Sequence, residues 1–148
     1  MSFDPAVKNA GVPRILVAPL DWGLGHATRC IPVIYELISQ GAEVWIAGEG
    51  APVVLLKNEF PNLHFLPLRG YRIRYANSRI GLLWTIIRQV PSILKSIKKE
   101  NTWLRKVVED YRFDAVISDN RYGLYHPSVP SVFITHQLQI KSPFGKFS

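Results

Sequence analysis

The sequence predicts an α/β fold built on a doubly wound parallel sheet of strand order 3-2-1-4-5, and three observations carry that expectation. Short runs dominated by apolar residues, Arg14–Pro19, Glu43–Gly48 and Ala115–Asp119, lack the polar alternation of a half-solvated strand. Stretches of helical periodicity separate them, so the strands join through right-handed crossovers. The chain has 148 residues, 47% hydrophobic and 20% charged, which suits one domain with a real core.

In chain order, Arg14–Pro19 reads as a buried first strand and residues 20–26 as a glycine-containing turn. Ile31, Ile34, Tyr35, Leu37 and Ile38 then recur at helical spacing, Gly41 is a natural stop, and Pro32 is expected in the first turn. Glu43–Gly48 is the second strand, Pro52–Phe60 a short helix and Leu63–Leu66 the third strand. Residues 67–80 show no period and read as a loop. Leu83, Ile86, Ile87, Val90, Leu94 and Ile97 mark one face of a long helix, continued by Leu104, Val107, Val108 and Tyr111, which Pro91 should kink or divide. Ala115–Asp119 and Val132–Thr135 are the fourth and fifth strands.

The net charge is +7, and its distribution matters more than its size. Residues 69–112 hold eleven Lys/Arg and three Asp/Glu, against seven and eight in the rest of the chain. Such a segment attracts phosphate, anionic lipid or nucleic acid; the plain alternative is a solvated helix face. The lone cysteine, Cys30, rules out a disulfide framework, makes no zinc site by itself, and reads as a buried thiol. The first residues lack a secretory pattern and no apolar run reaches membrane-spanning length, so the expected compartment is the cytoplasm.

In a sheet of this order a ligand binds outside the carboxyl ends of strands 1 and 4, where the strand order reverses. Those two ends carry the chemistry-bearing residues. Gly23, Leu24, Gly25 and His26 follow strand 1. Glycines allow close backbone approach to a ligand, and a helix N-terminus favours phosphate. The spacing Gly-x-Gly-x-x-Thr, with Thr28 in the third position and Glu49 after strand 2, is an incomplete dinucleotide fingerprint. His26 is an imidazole placed for proton transfer, the alternative being a helix-capping histidine. Asp119 ends strand 4, where it either holds the His26 tautomer or caps its own loop. Asn120 follows it, and His136 and Gln137 follow strand 5 toward the same cleft. His64 and His126 have no such context.

The run Gly25-His26-x-x-Arg29, then Leu37, Gly41, Val44 and Gly48, resembles the opening of glycosyltransferases of the GT-B architecture. It is most similar to the family of the lipid-linked N-acetylglucosaminyltransferase of peptidoglycan synthesis and of diacylglycerol galactosyltransferases. Phe113–Asp119 and Pro130–Gln137 resemble that family's later blocks, so the likeness spans about Arg14 to Gln137. It implies a Rossmann-like acceptor-binding N-terminal domain over residues 1–148, with a leader to residue 13 and a donor-binding second domain elsewhere. It also implies His26 as general base, Gly23 and Gly25 as the loop, and a nucleotide-sugar co-substrate with no cofactor or required metal. Asp21, Trp22 and Leu24 replace the small residues of the peptidoglycan enzyme's loop.

Three expectations follow. The first is an acceptor-binding half-enzyme, inactive alone, whose acceptor is lipid-linked if residues 69–99 dock peripherally on the inner face of an anionic membrane. Leu82 and Trp84 are the discriminating residues there. The second is a nicotinamide-dinucleotide domain of an oxidoreductase. The third is a nucleic-acid module using Trp84 and Trp103 as a stacking groove; apolar residues at core spacing argue against it, and no nucleic-acid partner is expected.

Overall fold

In a computed structural model of the chain, residues 11–71 and 79–135 are described, those of 79–89 by backbone alone. The elements are β1 (Arg14–Pro19), α1 (Leu24–Ser39), β2 (Glu43–Gly48), α2 (Gly50–Glu59), β3 (His64–Pro67), α3 (Arg79–Tyr111), β4 (Ala115–Asp119) and β5 (Ser131–Ile134). The strands form one parallel sheet in the order β3-β2-β1-β4-β5, as the sequence predicts. β1 lies at the centre, and its register on β4 sets Pro19 opposite Asp119.

Alternate residues of each strand face opposite sides. Leu16, Ala18, Trp45, Ala47 and Val116 pack with Leu104, Val107 and Val108 of α3 on one face. Val17, Val44 and Ile46 pack with Ala27, Cys30 and Ile34 of α1 and Leu56 of α2 on the other. At the amino end of the sheet Arg14 is 1% exposed. Its Nε donates to Glu43 Oε2 at 3.0 Å and its Nη1 to the Tyr111 carbonyl at 2.7 Å. Its guanidinium also lies 5.3 Å from the centre of the Trp45 ring, and its backbone N–H donates to Asp114.

Four expectations are corrected. α1 begins at Leu24, so Gly25 and His26 belong to its first turn and Pro32 lies well inside it. Pro32 is exposed, so water can reach the Thr28 carbonyl that its missing N–H leaves unbonded. Tyr35 and Ile38, expected on the core stripe, are 52% and 40% exposed. α3 runs through Pro91 undivided, so of the kink or division expected there the division is excluded. Val90 and Leu94 are 43% and 60% exposed and do not cover the sheet. The reason is length: 33 residues of helix extend about 50 Å, whereas strands of four to six residues extend at most about 20 Å. Leu82 and Trp84 fall among the residues described by backbone alone, and no described helix is long and apolar enough to cross a membrane.

Candidate active site

The loop after β1 enters α1 through Gly23, whose backbone (φ 81°, ψ 170°) is a conformation essentially reserved for glycine. Gly23, the N-cap of α1, has no side chain to offer the helix, and the first turn holds no acidic residue of its own. The first N–H groups of α1 therefore gain no cap from that position, and the positive end of the helix dipole faces the region of the switch point. Gly25 has no unusual φ, and a Cβ built there meets nothing within 4 Å. The two glycines thus differ: the backbone conformation calls for glycine at the first, while neither conformation nor contact among the described residues does so at the second.

His26 is buried to 9% exposure and its Nδ1 lies 3.0 Å from Asp119 Oδ2. The β1–β4 pairing makes this contact, because it brings the ends of both strands together. Arg29, one turn along α1 from His26, donates from Nε to Asp119 Oδ2 at 3.0 Å and from Nη2 to Oδ1 at 3.2 Å. Nη2 also stands 2.7 Å from His26 Nδ1. Nδ1 therefore faces two groups with opposite demands. The carboxylate can only accept a hydrogen bond and the guanidinium can only donate one. Directed at Asp119, an Nδ1–H leaves Nε2 with its lone pair, the form that accepts a proton. Directed at Arg29, a bare Nδ1 puts the proton on Nε2. Cys30, next to Arg29 in sequence, has its thiol pushed up to about 12, chiefly by burial and further by the Asp119 charge, with Arg29 opposing.

A second buried cluster adjoins the first. Asn120, in the left-handed region at φ 55°, turns the chain after β4 and leads to Arg121, 1% exposed. Arg121 Nε donates to Glu100 Oε1 at 3.0 Å and Nη2 to the Arg69 carbonyl at 3.0 Å. Glu100 Oε2 accepts from the Tyr71 hydroxyl and from the Gly123 N–H. Gly123 must be glycine, since a Cβ there would stand 2.5 Å from the Ile97 carbonyl oxygen. Burial raises the Glu100 carboxyl above its ordinary range, against the pull of Arg121 and the bonds from Tyr71 and Gly123; Asp21 adds to the rise. Burial and Glu100 together hold the Tyr71 hydroxyl up. Among the described residues, three buried side-chain atoms have no hydrogen-bond partner: Asp21 Oδ1, Asn120 Oδ1 and Arg121 Nη1. All belong to residues within two positions of the end of β1 or β4.

The structure thus brings together Gly23, Gly25, His26, Arg29, Asp119 and Asn120. Leu24 is 49% exposed at the start of α1. Thr28 is exposed and donates its hydroxyl to the Gly25 carbonyl at 3.1 Å. His136 and Gln137 lie outside the described residues. Glu49 Oε1 accepts the Gly70 N–H at 2.9 Å, bracing the chain after β3, a structural role the dinucleotide pattern does not foresee. The Glu100–Arg121–Tyr71 cluster was not expected from sequence. Its one signal is that Glu100 stands alone among the basic residues from 69 to 108.

The model of the family described as glycosyl transferase family 1 matches residues 14–131. The chain belongs to glycosyl transferase family 1. The matched stretch contains His26, Arg29, Glu100 and Asp119–Arg121, and family membership weighs against the oxidoreductase reading. Among solved structures, the spinosyn rhamnosyltransferase SpnG is similar over 81% of this chain, at 22% identity and TM-score 0.55. SsfS6, a glycosyltransferase of Streptomyces sp. SF2575, is similar over 82% at 20% identity and TM-score 0.53. At these identities the likeness is one of fold. The family 1 chain spans 34% and 38% of those two proteins, about a third of each. Neither comparison singles out the lipid-linked N-acetylglucosaminyltransferase or the diacylglycerol galactosyltransferases that the motifs resemble. No curated protein matches.

Proposed function

We propose that this chain is the acceptor-binding half of a glycosyltransferase that moves a sugar from a nucleotide-activated donor to an acceptor hydroxyl. The observation that carries the reading is the 3.0 Å contact of His26 Nδ1 with the buried Asp119 carboxylate, beside the N-terminus of α1 at the sheet's switch point. With Nδ1–H turned to Asp119, Nε2 takes the proton of a hydroxyl whose oxygen attacks the anomeric carbon. The bond from that carbon to the diphosphate oxygen breaks, and the nucleoside diphosphate leaves with the electron pair. Asp119 faces the imidazolium that forms, and the first N–H groups of α1 favour the departing charge. SpnG has been solved with thymidine diphosphate, a leaving group of this type. In this reading a second domain supplies most of the donor contacts.

His26→Ala, tested in the protein that joins this chain to its donor-binding domain, should lower kcat by about a hundredfold or more with the fold intact. Near-normal turnover with normal thermal stability would remove the base from the scheme.

The finer proposal is a lipid-linked acceptor presented at an anionic membrane by residues 69–99. Exposed Val90 and Leu94 stand among exposed Lys95, Lys98 and Lys99, the mixture an interfacial helix uses. Co-sedimentation with anionic vesicles at low and high salt tests it, and absence of binding at low salt by folded protein ends it.

A further inference from the structure

Two neighbouring rows of α3 differ in character. Leu104, Val107 and Val108 face the sheet as core residues, with Trp103 partly buried beside them. Continued from Trp103 toward the N-terminus at helical spacing, its row carries Lys99, Ser96 and Ser92. That row sets two hydroxyls and an ammonium beside an indole. Between these residues and the Leu68–Gly70 segment lies a cavity of about 480 Å³, within the range of small-molecule sites. Trp103 supplies an aromatic wall, and Arg69 and Lys99 supply positive charge. Glu100 is the one acid among the described lining residues. It is 4% exposed, and both its oxygens are engaged by Arg121, Tyr71 and Gly123. The field inside the cavity is therefore set by the two cations.

The cavity also borders the loop that leads to His26. Gly70 packs so closely on Asp21 that a Cβ would overlap its carboxylate, and Trp22 Nε1 donates to the Tyr71 carbonyl at 3.2 Å. We infer that this cavity holds the body of the acceptor, and that the acceptor is an amphiphile carrying a carboxylate or phosphate beside an apolar or ring-shaped portion. The apolar portion lies against Trp103, the anion meets Arg69 and Lys99, and the serines bond its oxygens. The inference rests on the glycosyl-transfer reading and adds the class of acceptor.

Calorimetric titration of this 148-residue chain with decyl phosphate, decanoate, decyl glucoside and inorganic phosphate tests it, with the amphiphiles kept below micelle formation. Decyl phosphate or decanoate should bind at least about tenfold more tightly than the neutral decyl glucoside and than inorganic phosphate, as charge-assisted hydrogen bonds plus apolar burial require. Which of the two binds better tells phosphate from carboxylate. Lys99→Glu should abolish binding, Arg69→Ala should weaken it about tenfold, and Ser96→Leu should block it by filling the cavity. All three positions are at the surface or half-buried, so circular dichroism should show an unchanged fold. Equal affinity for the charged and neutral amphiphiles overturns the inference. So does inorganic phosphate binding as tightly as decyl phosphate, or binding that survives both Lys99→Glu and Ser96→Leu. His26→Ala should leave these affinities unchanged. An empty cavity in a protein whose sugar transfer still depends on His26 defeats this inference alone.

Discussion

The two ends of the sheet carry the same kind of chemistry in different states of completion. At the amino end, buried Arg14 is tied to Glu43, to the Tyr111 carbonyl and to the Trp45 face. At the carboxyl end, buried Asp119 and Arg121 are also paired, yet Asp21, Asn120 and Arg121 each keep a buried polar atom without a partner among the described residues. Burying such an atom costs roughly 1–3 kcal/mol. A cluster that completes its bonds internally serves the scaffold, whereas unmatched atoms at a switch point are groups that a ligand's or a water's polar atoms can satisfy.

The largest expected effect divides the two ends outright. Arg14→Met should lower stability by roughly 3 kcal/mol, the scale for breaking a buried charge pair, while kcat per folded molecule stays near that of the parent. Denaturant melts with turnover measured on the folded fraction check this. It is the converse of His26→Ala, and a variant at Arg14 that is stable but inactive would collapse the distinction.

Next in size is Asp119→Asn. Transfer should fall by tenfold or more with little change in acceptor affinity, since the substitution removes the charge facing the imidazolium and changes little in shape. Arg29→Met sharpens the point. Losing the donor 2.7 Å from Nδ1 should shift His26 toward the Nδ1–H tautomer, as read from imidazole ¹⁵N shifts. An identical tautomer in both proteins means that Arg29 serves the Asp119 charge alone.

A smaller effect comes from Cys30. Its thiol is raised to about 12 from an ordinary 9.0. A raised value means that the folded state holds the proton more tightly, so this contribution is intact below pH 9 and is lost as pH climbs toward 12. Stability should fall by about 1 kcal/mol more between pH 8.5 and 10 than it does in Cys30→Ala. Parallel stability curves for the two proteins would contradict it.

These contrasts also separate what sequence reveals from what it conceals. Strands such as Ile15–Ala18 and Val44–Ala47 are legible because a parallel strand buried on both faces leaves an unbroken apolar run. The switch point follows from the strand order, and with it the neighbourhood of His26 and Asp119. The start of α1 is hidden because it depends on Gly23 adopting a glycine-only conformation, and composition does not say which glycine does so. Val90 and Leu94 mislead because periodicity marks a face without saying what stands opposite. The Glu100–Arg121 pair joins residues 21 apart, one in α3 and one in the turn after β4, a contact only the packed fold creates.

The smallest effect belongs to Gly25, and it is read against Gly23 of the same loop. Gly23→Ala forces a side chain into a conformation essentially open only to glycine, and should cost roughly 1–3 kcal/mol of stability. Gly25→Ala meets no such barrier. Its backbone has no unusual φ, a new Cβ touches nothing within 4 Å, and alanine favours a helix by up to about 1 kcal/mol over glycine. On folding grounds alone, then, Gly25→Ala should be neutral or slightly stabilising. If its open side is where a substrate passes to reach Nε2 of His26, the same methyl group should raise KM a few-fold at unchanged thermal stability. A variant as active as the parent would mean that this glycine keeps nothing clear, and that the substrate approaches His26 from another side.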